Sequence, residues 1–209
     1  MSKMKLGIEN LLIESPCIFA RSVIPQSGPS WERKKSLDAN LQKQSEAVNR
    51  WTNDPSSDIF IIAAPASLGR TISSIAVFLN LVLRYLHKNS SNRYDCFDMD
   101  IETESWRYCV SNRDLFVLCL APIYPSNHSR CSFKSRGIYV VLQKYSSFDK
   151  FVPKGQLVIS EDTRKQIRWI FQKKGMGYDL SISLSPIDAY KFLKPINNSD
   201  SIIKWWTYK

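Results

Sequence analysis

The sequence predicts a single mixed α/β (α+β) domain over residues 1–209, with one central sheet flanked by helices. Three observations predict it. Apolar residues recur at helical spacing in three segments, β-branched apolar runs fill four others, and the two kinds interleave along the chain. The chain is long enough for one full core, and no internal repeat, low-complexity stretch or linker divides it.

The elements follow in order. Residues 25–35, PQSGPSWERKK, hold two prolines, a glycine and two serines and read as a loop. Leu37, Leu41, Gln44, Val48 and Trp51 then recur at spacings of three and four, which makes a helical stripe that Ser36 or Asp38 can cap. IFIIAA (59–64) is short, continuous and β-branched, as suits a strand buried on both faces. PASLGR turns the chain into a second helix, with Ile72, Ile75, Leu79, Val82, Leu83 and Leu86 on one face and an end near His87 and Lys88. WRYCV (106–110) and LFVLCL (115–120) flank SNRD, a hairpin with a four-residue connection. GIYVVLQ (137–143) is a further strand. A helix is expected from Glu161 to Lys174, with Ile167, Ile170 and Phe171 on its apolar face and Gly175 at its end. In the tail SIIKWWTYK, Trp205 and Trp206 are expected to dock on the body, although an exposed tail would offer a surface for a homodimer.

Composition narrows the function classes. No run approaches the length of a membrane span and the N-terminus makes a poor signal peptide, so a cytoplasmic protein without membrane contact is expected. Five cysteines without a CxxC pair argue against a disulfide framework and a structural zinc site. The net charge of +10 is spread in runs of three or fewer, which reads as a solvated surface that attracts anions. Aromatic residues do not interleave with basic ones in a compact motif, so nucleic acid is not an expected partner.

Familiar catalytic motifs are missing. PASLGRTISS sits where a phosphate loop would, but it has one glycine and Arg70 in place of the lysine. No GxSxG occurs, and two histidines are too few for most hydrolytic or non-heme metal sites. Heme iron needs only one protein ligand, because the porphyrin supplies four nitrogens.

SPCIFARS (15–22), LRYLHKN (83–89), APIYPSNHSR (121–130) and YVVLQKYSSFD (139–149) stand in the same order as related segments of the YqcI/YcgG family, which this chain resembles over roughly residues 10–155. Some members of that family look like heme-dependent oxygenases that N-hydroxylate arginine or related guanidines. The resemblance implies heme b, dioxygen, an external electron donor and an arginine-like small-molecule substrate.

Cys17, His128 and His87 are the candidate iron ligands. A Cys17 thiolate would favour O–O cleavage, and Arg21 four residues on would lower its pKa. His128 lies in the prolyl loop beyond a buried strand, where ligand crevices form, and could act as axial ligand or distal donor; Arg130 beside it could grip a propionate or a substrate carboxylate. His87 at a helix end has a structural alternative, a cation on the helix dipole. Tyr124 and Phe148 are expected to line the pocket. A non-catalytic basic binding module, or a heme sensor or carrier, stands as the competing reading.

Overall fold

A serine decides where the first helix begins. In the computed structural model, which describes residue 8 and residues 11–152, 160–176, 180–197 and 199–209, the Ser36 hydroxyl accepts from the Ala39 amide at 3.1 Å and caps α1 (Leu37–Thr52). Asp38 sits in the first turn, where the helix dipole favours it. The buried stripe holds Leu41, Gln44, Val48 and Trp51 as expected. Its polar member anchors the preceding loop, because Gln44 Nε2 donates to the Pro29 carbonyl at 2.7 Å.

α2 (Ile72–Lys88) opens on a reciprocal cap between Thr71 and Ser74 and buries Ile75, Leu79, Val82, Leu83 and Leu86. The glycine of the preceding turn answers to packing. A Cβ at Gly69 would lie 2.5 Å from Ile75 Cγ1 and 2.6 Å from Ile138 Cδ1, so strand and helix could not close over it.

Five strands form one sheet in the order β1-β2-β5-β4-β3. β2 (Ile59–Pro65) pairs antiparallel with β5 (Gly137–Lys144), and β5 with β4 (Arg113–Leu120). β3 (Tyr108–Val110) closes one edge. β1 (Pro25–Ser27), a segment expected to be loop, lies parallel to β2 at the other edge. It is three residues long and starts on a proline, which an edge position tolerates because the missing N–H leaves no ladder bond broken. The β3–β4 connection is also shorter than expected. Only Ser111 and Asn112 lie outside the strands, both with positive φ (51° and 60°), as a two-residue hairpin turn requires.

One sheet face, with Phe60, Ile62, Val140, Leu142, Val117 and Cys119, packs under α1 and α2 in the main core. The other, with Ile59, Ile61, Ala63, Tyr139 and Val141, meets Ile8 and Leu11. β2 is buried on both faces for that reason.

α3 (Glu161–Lys173) is capped by Ser160 and buries Ile167 and Phe171; Gly175 follows with φ +67°. Two short helices, α4 (Leu180–Leu184) and α5 (Ala189–Phe192), carried no readable period. The tail docks. Trp205 is fully buried, donates from Nε1 to the Ala189 carbonyl at 2.9 Å and stacks on Phe192. Trp206 is half-buried against Tyr190. Both tryptophans of the tail are thus docked on the body, as expected. No helix of the described residues is long and apolar enough to cross a membrane.

Candidate functional site

The prolyl loop is a packed joint rather than an open rim. Ala121 bridges to Cys131, and the Ala121 amide donates to the Arg130 carbonyl, so the loop closes on itself at the end of β4. His128 is 6% exposed, Arg130 8% and Tyr124 3%. The Tyr124 hydroxyl donates to the Lys194 carbonyl and Arg130 Nη2 to the Lys191 carbonyl, each at 2.6 Å. Both acceptors lie in or next to α5, which is itself held through Asp188, paired with Lys191 at 3.0 Å and hydrogen-bonded by Tyr145. The tail and the loop are thus one packed unit.

His128 lies flat on Tyr124, with centroids 4.4 Å apart and rings 6° from parallel. Its Nδ1 accepts from the Arg130 amide at 3.0 Å, which puts the ring hydrogen on Nε2. So placed, the imidazole has no lone pair to give an iron. It can serve only as an Nε2–H donor.

Cys17 stands at the start of a 3₁₀ turn (Ile18–Arg21), half-buried behind the buried Pro16. Burial raises its thiol pKa, while the backbone amides of Phe19 and Ala20, which hydrogen-bond the sulfur, and the Arg130 guanidinium pull the other way. The cation that acts on Cys17 is therefore Arg130, from the prolyl loop; Arg21, expected to do so, is exposed. Phe19 meets Phe148 edge-on at 5.4 Å, and Phe148 meets Phe116 at 6.1 Å and Tyr145 at 6.0 Å, which makes an aromatic wall beside the thiol. Burial outweighs those three groups, so without a bound metal the thiol is the favoured form; the amides and the guanidinium fit a thiolate ligand once iron takes the place of the proton.

A second group gathers around His87. The imidazole is 5% exposed at the end of α2. Its Nε2 lies 3.0 Å from Asp95 Oδ1, and its Nδ1 faces Cys96 Sγ at 3.5 Å, Cys109 Sγ at 3.9 Å and the Cys109 carbonyl at 2.9 Å. Cys96 comes from the loop after α2 and Cys109 from the middle of β3, and one ligand atom from each of the three residues lies within 4.8 Å of the others. The Cys109 thiol is pushed down to about 7, because the Cys96 S–H and the Tyr94 hydroxyl donate to its sulfur beside His87. The Cys96 thiol is correspondingly pushed up. Asn92, Tyr94, Asp95 and Phe97 line a cleft of about 430 Å³ that opens on His87.

The structure thus brings Cys17, Arg130, Tyr124, His128 and Phe148 to one region and leaves His87 in another. Cys96 and Cys109 were missed. Their spacing from His87 fits no linear metal motif, and only the edge position of β3 beside the end of α2 unites them. All five cysteines are free thiols.

Neither a curated protein nor a solved structure matches the chain. A family model does, over residues 12–176, a span that takes in Cys17, the His87 group, the prolyl loop and all of α3. On that match the chain belongs to the YqcI/YcgG family.

Proposed function

We propose that this protein is a heme-dependent oxygenase that hydroxylates a guanidino or amino nitrogen of an arginine-like small molecule. The observation that carries the proposal is the environment of Cys17: a sulfur receiving two backbone amides and facing the Arg130 guanidinium, in the segment through which the chain resembles its family. Heme b, when bound, supplies dioxygen activation.

The chain's own residues have distinct tasks. Cys17 would hold the iron, and the amides of Phe19 and Ala20 with the Arg130 guanidinium offset part of the rise that burial imposes on its thiol. Arg130, tied to the Lys191 carbonyl, provides fixed positive charge for a propionate or a substrate carboxylate. His128 presents its Nε2 hydrogen while the Arg130 amide locks the tautomer. Phe148, with Phe19 and Phe116, excludes water. Overall, one oxygen atom enters an N–H bond and the other leaves as water, with two electrons and two protons from an external donor.

The as-isolated absorption spectrum tests this. A Soret band is expected, with a carbon monoxide difference spectrum of thiolate type that Cys17→Ser abolishes and His128→Ala leaves in place. Incubation with arginine, dioxygen and a reductant should yield a hydroxylated product; heme binding without product would make the protein a sensor or carrier. A colourless preparation from heme-supplemented cells overturns the proposal.

A further inference from the structure

His87 uses its two nitrogens differently. Nε2 lies 3.0 Å from the Asp95 carboxylate, within ion-pair distance. With no ion bound, Nδ1 carries the hydrogen that is donated to the Cys109 carbonyl at 2.9 Å, and it also faces two sulfurs, with Asn92 Nδ2 at 3.1 Å to one side. One imidazole nitrogen and two sulfurs therefore converge in a buried spot, where a metal ion can take the place of the proton on Nδ1.

The distances suit a metal ion. A tetrahedral zinc ion with its usual Zn–S and Zn–N bonds separates its ligand atoms by about 3.6 Å for S···N and about 3.8 Å for S···S. The two S···N separations here are 3.5 and 3.9 Å, and every ligand-atom pair is within 4.8 Å. Thiolates and an imidazole form a soft set suited to zinc, and a carboxylate on the far nitrogen is the usual partner of a metal-bound histidine.

We propose that His87 Nδ1, Cys96 and Cys109 bind one zinc ion, with Asp95 orienting the imidazole and a solvent-derived fourth ligand on the cleft side. Binding releases the thiol protons to solvent and involves no redox change. The ion joins the end of α2, the following loop and the edge strand β3, three pieces that the polypeptide links only through the loop between Asn89 and Arg107. Nothing in this site depends on Cys17 or on heme.

The full-length protein, stripped of metal under reducing conditions, is titrated with cobalt(II) and then zinc. The expected result is a sulfur-to-cobalt charge-transfer band with the intense visible bands of tetrahedral cobalt, displaced by one equivalent of zinc. Added azide should shift the visible bands, because the fourth position faces solvent. Cys96→Ser and Cys109→Ser should each weaken the charge-transfer band, while Cys131→Ser should not. Asp95→Asn, at a carboxylate 50% exposed and so tolerant of change, should keep the bands but lower zinc affinity by roughly 10–100-fold. This variant keeps the test open if the buried cysteine variants fail to fold. Absence of the charge-transfer band in the wild-type protein overturns the proposal, as does an undiminished band in folded Cys96→Ser. Unchanged zinc affinity in Asp95→Asn overturns the role of the carboxylate.

Discussion

Replacing Trp205 with alanine should cost far more than replacing its neighbour. Trp205 is fully buried among Trp106, Phe192 and Phe97, and its Nε1 holds the Ala189 carbonyl. Emptying such a site costs about 3–5 kcal/mol, and losing the hydrogen bond adds about 1 kcal/mol. At ~2–4 °C per kcal/mol for a chain of this size, the melting temperature should fall by roughly 10–20 °C. Trp206→Ala removes a half-buried ring stacked on Tyr190 at 6.0 Å and should cost only about 1 kcal/mol. Urea unfolding of both variants, followed by far-ultraviolet circular dichroism, gives the comparison. The damage should also spread, since Trp205 stacks on Phe192 next to the carbonyls that hold Tyr124 and Arg130. Loss of order in the prolyl loop would register as faster amide exchange at His128 and Arg130. Equal costs for the two tryptophans, or a cost below about 1.5 kcal/mol for Trp205, would refute the view that the tail is part of the core.

Other expectations concern the two sites. In metal-free protein the Cys109 thiol, low when folded, ionises before its unfolded counterpart, so stability should rise as pH climbs from about 7 to about 9. Above that range Cys96, raised when folded, keeps its proton while the unfolded thiol loses it, so stability should fall again. Cys109→Ser should erase the rising limb in pH-dependent urea unfolding. Asn112→Ala should destabilise by about 1–2 kcal/mol, because it strains a residue at φ 60° and removes bonds to the Arg93 amide and the Ser91 carbonyl. Thermal unfolding would show the loss. Zinc at ~100 times its dissociation constant should stabilise the stripped protein by about 2.7 kcal/mol, read as a shift in the urea midpoint.

Much of the fold was legible because the period was strong. α1, α2 and α3 each combine a serine or threonine cap with an apolar stripe, and β2 and β5 are continuous runs. β1 was not legible, since three residues beginning with proline carry no alternation and become a strand only by lying against β2. α4 and α5 are too short to show a helical period, and α5 is held in place by Trp205 of the tail. The candidate sites divide in the same way. Cys17 and Arg130 stood out as single residues, yet their juxtaposition needs the whole sheet between them. His87 pointed to a ligand role, but its sulfur partners are 9 and 22 residues away, on elements whose meeting no local pattern records.

The central strand β5 is also the last to be synthesised. Both its neighbours, β2 and β4, take most of their ladder from it. Until residues 137–144 leave the ribosome, two long apolar edges face solvent unpaired, each a template for association with another nascent chain. Contacts between β2 and β5 span some eighty positions, so loop closure slows their union further. Yield in the cell should therefore depend on chaperones that shield nascent strands more than on the final stability of the protein.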